Sequence, residues 1–220
     1  MSLTHTDLDL LQILPNSEMK SIRTRQERAL QGFLDIVAVC LILFLFGLVY
    51  LLIPPYNQGF YCDDRTILKP YRNDTVPMWS VAIYAGILPV FIILFIEVWR
   101  YFPLFPYSVC KQRRIDCLRD IFHSICLFGL GIGTTFLLTE VGKRSYGRLR
   151  PHFFDVCKPD WSNIRCFDRV ILGDDKPMLI PRFISDYKCL GSDHAKIKEA
   201  RISFPSGHSS IVCFSFSFLL

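Results

Sequence analysis

Residues 33–53 read FLDIVAVCLILFLFGLVYLLI, and Asp35 is the one charge in the run. At about 1.5 Å of rise per residue, a helix of that length crosses the roughly 30 Å of hydrocarbon in a bilayer. The stretch reads as a transmembrane helix and frames everything on either side of it.

Three further apolar runs follow. Met78 to Val98 is apolar up to Glu97, with Trp79 and Trp99 at its edges, where amphipathic rings favour the membrane interface. Pro89 is expected to kink this helix. Ile121 to Val141 carries His123, Thr134, Thr135, Thr139 and Glu140, and its Gly129, Gly131 and Gly133 predict a helix packed closely against neighbours. The last run opens after Pro205. From Ile211 to Leu220 it covers about 15 Å of helix, half a bilayer, so the sequence is expected to stop inside an element.

A hydrophobic share of 51% and a mean hydropathy of +0.30 exclude an ordinary soluble domain. The expected fold class is an all-α integral membrane protein, a multi-pass helical bundle with three full transmembrane helices and a partial fourth. The first apolar run begins too late and runs too long for a cleavable signal peptide. Residues 1–32 are expected to form a polar tail with a short interfacial helix from Ser21 to Gln31. Residues 33–220 form one membrane domain, with 142–204 as its largest soluble piece.

Orientation follows from the short loops. Lys20, Arg23, Arg25 and Arg28 precede the first span, and Arg100, Lys111, Arg113, Arg114 and Arg119 lie between the second and third, which places both segments in the cytoplasm. Three crossings then put Gly142 to about Phe204 outside the cell or in a lumen. On that side Asn73-Asp74-Thr75 is a candidate glycosylation sequon, and Cys62, Cys157, Cys166 and Cys189 are expected to form one or two disulfides of open connectivity. Cys110 and Cys117 lie beside basic residues on the cytoplasmic side and are expected to be unmodified thiols, palmitoylation being the alternative.

The chemistry sits after the third span. In KRSYGRLRP, Lys143 is followed by Arg150 and Pro151, with Arg148 between them. A phosphate ester carries about −1.5 to −2 charges at neutral pH, and the planar fork of arginine binds its oxygens in pairs. Taken alone, such a cluster beyond a transmembrane helix more often meets lipid headgroups or water. FPSGHSS, residues 204–210, changes the balance. It opens the fourth run with a hydroxyl at Ser206, a glycine at Gly207 that lets an anion approach the backbone, and His208 within the first turn, where helix N–H groups are unpaired. A serine N-cap with an incidental histidine is the plainer reading of that stretch by itself.

Together, Lys143-x6-Arg150-Pro151 and Pro205-Ser206-Gly207-His208 resemble the type 2 phosphatidic acid phosphatase superfamily, and GRLRPHFFDVCKPDW resembles its lipid phosphate phosphatases in particular. The resemblance implies a six-helix fold and metal-independent, cofactor-free hydrolysis of phosphatidate, lysophosphatidate, or sphingosine and ceramide phosphates at the outer membrane face by a phosphohistidine mechanism. By position, Lys143, Arg148, Arg150, Ser206 and Gly207 would bind the phosphate and His208 would act as general acid. The partners implied are lipid phosphates and the bilayer, with room for a homo-oligomer and none for nucleic acid; the localisation implied is the plasma membrane with the catalytic loop extracellular, or an internal membrane with it lumenal.

The family also carries a third motif, Ser-Arg-x5-His-x3-Asp, whose histidine attacks phosphorus, and no such stretch follows His208. The chain is therefore expected to be the front part of such an enzyme, inactive alone. The alternative is a non-catalytic membrane protein that binds lipid phosphates or pairs with full-length relatives. His152 and His194 are poor substitutes for the nucleophile, His194 because no orienting partner is evident near it.

Overall fold

A computed structural model of the chain describes residues 16–101, 110–172 and 176–220. Residues 1–15 of the expected tail lie outside the described residues, as do the side chains of Lys20, Arg23, Arg25, Cys110, Lys111 and Arg113. Four long helices dominate: α1 (Asn16–Leu52), α2 (Met78–Tyr101), α3 (Cys110–Tyr146) and, after two short helices, α6 (Gly207–Leu219). Gln26–Leu52, Met78–Tyr101 and Arg114–Tyr146 are long and apolar enough to cross a membrane. The three expected spans are present, each reaching past its apolar run. The helix expected at Ser21–Gln31 is instead the first part of α1, which runs on through Gly32 because a single glycine is tolerated in a helix and no proline interrupts residues 16–52.

Large apolar side chains point outward along these helices, among them Phe44, Phe91 and Phe95. In water such a surface would aggregate; in a bilayer the lipid tails complete it. α3 lies at the centre, packed against α1, α2 and α6. A Cβ at Gly131 would fall 2.3 Å from the Phe214 ring of α6, and one at Gly133 would fall 2.9 Å from Ile42 of α1, as close packing requires. Gly129 does not share this role, since a Cβ there would meet nothing within 4 Å.

Pro89 acts through hydrogen bonding. Its ring nitrogen has no proton to give the Ala85 carbonyl one turn earlier. The preceding residues, Ala82–Ile87, widen into a π-helical turn, and the hydroxyl of Ser215 on α6 donates to the Ala85 carbonyl. Both Ala85 and Ser215 are buried. The proline thus fixes where α6 meets α2.

A smaller body sits at one end of the bundle. It contains β1 (Phe60–Tyr61), α4 (Phe153–Cys157), a hairpin of β2 (Phe167–Leu172) and β3 (Lys176–Pro181), then β4 (Phe183–Ile184) and α5 (His194–Glu199). The strand pairs, β1 with β4 and β2 with β3, both antiparallel, are additions to the helical fold that the sequence reading did not anticipate. Its core is aromatic: Phe60 packs edge-on to Phe154 at 4.7 Å and to Tyr187 at 4.9 Å, with Phe153 fully buried beside them. So small a core needs covalent support. Disulfides Cys62–Cys166 and Cys157–Cys189 supply it and resolve the open connectivity.

Candidate phosphate-binding site

The site is assembled by the way α3 ends. Lys143 lies in its last turn, and Gly147 closes it with φ +57, its N–H donating to the Lys143 carbonyl at 3.0 Å. This left-handed cap suits glycine. A Cβ there would also fall 2.3 Å from the Tyr56 carbonyl oxygen in the loop after α1.

Beyond Gly147 the chain is extended and pairs with the segment before α6. Arg150 N–H donates to the Ala200 carbonyl at 2.7 Å, and Ser203 N–H donates to the Arg148 carbonyl at 2.9 Å. These two bonds bring the first motif beside the second. Ser206 caps α6, accepting from the Ser209 N–H at 3.4 Å. Gly207 is buried at the helix start, and a Cβ on it would lie 3.4 Å from the Lys143 ammonium. A cation thus faces a helix N-terminus, with the glycine leaving the gap between them free of any side chain.

Lys143, Arg150, Ser206, Gly207 and His208 line one cavity of about 490 Å³. Five of the residues singled out from sequence therefore converge. Arg148 does not line it: its side chain is exposed, and its carbonyl serves the pairing with Ser203. His152 lines the cavity, whereas His194 is exposed at the start of α5 and does not.

Lys143 and Arg150 each have a carboxylate. Lys143 donates to Glu140 at 3.1 Å, and Glu140 also pairs with Arg144 at 3.5 Å. Arg144 is buried, donates to the Ile53 carbonyl just past α1 and stacks over Tyr50, so it fastens α1 to α3 and leaves Lys143 to face the cavity. Arg150 pairs with Glu199 at 3.0 Å and with Asp74 at 3.7 Å. Burial, and secondarily the Arg150 charge, hold His152 below the usual histidine range.

His208 Nε2 lies 3.0 Å from the Val76 carbonyl. A carbonyl only accepts, so this nitrogen carries a proton. Arg72, Asp74 and Val76 thus bring the loop between α1 and α2 into the site. Sequence reasoning missed them: in YRNDTVP it read only the Asn73-Asp74-Thr75 sequon, and the part this stretch plays at the site depends on contacts with residues far along the chain. A second cavity, about 450 Å³, adjoins the first at Asp74 and His208 and runs between the start of α2 and α6, where Val76, Val81 and Val212 give it apolar walls.

One end of this multi-pass helical membrane protein gathers lysine, arginine, a helix N-terminus and a histidine around a cavity, a set of groups that suits an anion such as phosphate. Residues 124–220, the part that carries both motifs, match the PAP2 superfamily. The chain is 31% identical over 189 residues to phospholipid phosphatase 1 of Mus musculus, covering 84% of this chain and 60% of that protein. It is 32% identical over 190 residues to a putative phosphatidate phosphatase of Drosophila melanogaster (78% and 47%) and 29% identical over 195 residues to phospholipid phosphatase 2 of Homo sapiens (88% and 62%). The chain thus spans between about half and three fifths of the length of these relatives. No solved structure matches it.

Proposed function

We propose that the chain supplies the phosphate cradle and general acid of a metal-independent lipid phosphate monoester hydrolase. The observation that carries this reading is the junction of two cavities at His208. One is cationic and suits a phosphate; the other is apolar and lies between two membrane helices, where the lipid part of the same molecule fits. The proton-bearing histidine stands between them, where the ester oxygen leaves.

The roles follow from charge. Lys143 and Arg150 neutralise the phosphate oxygens, and the α6 N-terminus with Ser206 and Gly207 binds the remaining one, as phosphoryl transfer rests on positioning and charge stabilisation. Asp74 and Glu199 hold the Arg150 fork until the substrate arrives. Val76 orients His208 by accepting from its Nε2–H, and in the imidazolium form the Nδ1 proton passes to the departing alkoxide, leaving neutral imidazole. Phosphatidate, lysophosphatidate, and sphingosine and ceramide phosphates fit this description, and the 142–204 segment faces the outside of the plasma membrane or a lumen.

Nucleophilic attack in this scheme uses a histidine of the Ser-Arg-x5-His-x3-Asp type, which these 220 residues do not contain. The test compares the chain, purified in detergent, with a version extended through that motif, measuring phosphate release from phosphatidate with a chelator present. Chelator-resistant release by the extended version alone is expected. Equal release by both would overturn the placement of the nucleophile and direct attention to His152.

A further inference from the structure

The loop between α1 and α2 brings two cations to the site that the cradle leaves unused. Lys69 and Arg72 line a separate cavity of about 350 Å³ with Pro70, Pro151 and His152. Arg72, Pro151 and His152 also line the cradle, so the two cavities share a wall. The apolar cavity meets the cradle at Asp74 and His208 and shares no lining residue with this one, which therefore adjoins the cradle through a different wall.

Its charge is one-sided. Among the described residues no carboxylate lines it and no ion pair is made by Lys69 or Arg72, while Asp74 and Glu199 are both engaged on Arg150. The loop is also fastened where the cations sit. Lys69 N–H donates to the Pro151 carbonyl at 2.8 Å, and Tyr71 N–H donates to the Asp155 carboxylate at 2.8 Å. The Tyr71 ring meets His152 edge-on at 5.0 Å and carries over its face, at 5.2 Å, the ammonium of Lys196, which is itself paired with Asp193 at 3.3 Å. Fixed backbone with unpaired cations around a cavity is an arrangement that concentrates anions.

We propose that Lys69, Arg72 and His152 form a second anion site beside the cradle, and that its ligand is a phosphate group. The group is either the orthophosphate set free in the cradle or the outer phosphate of a diphosphate headgroup whose inner phosphate sits there. Arg72, reaching both cavities, hands a phosphate from one to the other, and the released anion leaves on a side the lipid does not occupy. The proposal rests on reading Lys143 and Arg150 as the phosphate cradle.

The test needs binding and no turnover. Inorganic phosphate is titrated into the 220-residue chain in detergent, with stoichiometry and affinity read by calorimetry and ³¹P line shape. Two sites are expected. Lys69→Ala/Arg72→Ala should remove one, Arg150→Ala the other, and Arg72→Lys should weaken the second site about tenfold while keeping it, since the fork is lost and the charge is not. A single site in the unaltered chain that the double variant leaves intact, or two sites that it leaves unmoved, would refute the second site and leave the cradle standing. Phosphate binding indifferent to Arg150→Ala would overturn the cradle itself. Methylenediphosphonate separates the two sources. Binding one-to-one, more tightly than methylphosphonate and weakened by both variants, assigns the site to a diphosphate headgroup; affinity equal to methylphosphonate assigns it to released orthophosphate.

Discussion

Ser215→Ala tests how α6, and with it Ser206 and His208, is held in place. The substitution removes one oxygen and leaves the shape of the side chain. What it exposes is the Ala85 carbonyl, which has lost its usual donor to Pro89 and has the Ser215 hydroxyl instead. Hydrogen bonds between membrane helices contribute about 0.6 kcal/mol on average and about 1.7 at most. The upper end applies here because Ser215 is buried at 1% exposure and the Ala85 carbonyl lacks the N–H that residue 89 of an uninterrupted α-helix would give it. The loss should therefore approach 1.7 kcal/mol, about a twentyfold shift in the folding equilibrium. In a Pro89→Ala background the helix can supply its own N–H, and the same substitution should cost roughly a third as much, near the average. Reversible unfolding in mixed micelles, run as a double-mutant cycle, measures the difference. Equal losses in the two backgrounds would refute the account, since the hydroxyl would then not be replacing a bond the proline had removed.

Gly147→Ala places a side chain at φ +57 and against the Tyr56 carbonyl, so a loss of at least the 1–2 kcal/mol of a left-handed residue is expected, read as a lower unfolding midpoint. Arg150→Lys keeps the charge and loses the fork, and it should weaken phosphate binding to the cradle about tenfold to a hundredfold by calorimetry. His152, held low by burial and by Arg150, should titrate below about 6.5 by NMR, and Arg150→Gln should raise its value only part of the way because burial is the larger cause. A group depressed in this way stabilises the folded site above its unfolded pKa, so the contribution should vanish as pH falls through the folded value. If the first loop faces the lumen during synthesis, glycosidase should increase the gel mobility of the unaltered chain and leave Asn73→Gln unchanged.

The helices were legible because bilayer thickness writes itself into the length of an apolar run. Their full extent was not, since the polar turns of α1 and α3 carry the helix past the hydrocarbon without any change in apolar pattern. Gly131 and Gly133 announced close neighbours correctly, yet Gly129 in the same spacing faces open space, because three glycines along one helix do not all face the same neighbour. The hairpin was missed because FDRVIL and KPMLIP are short and neither alternates cleanly. Lys143, Arg150, Ser206, Gly207 and His208 were picked out by their chemistry, and the fold brings all five to one cavity. Arg148 shares that chemistry and lies elsewhere, since residue type cannot tell a backbone role from a side-chain one. Arg72, Asp74 and Val76 gave no local signal at all, for they reach the site across about seventy to a hundred and thirty residues of intervening chain.

The lacing of 148–150 to 200–203 gives the chain a property useful to the protein engineer. The β2–β3 hairpin lies between those segments and lines neither the cradle nor the cavity beside it, so lengthening or shortening the hairpin should leave Arg150 and His208 the same distance apart. A fluorescent or affinity cassette spliced between β2 and β3 should leave phosphate affinity untouched, and a library of hairpins of different lengths can be screened on one invariant frame.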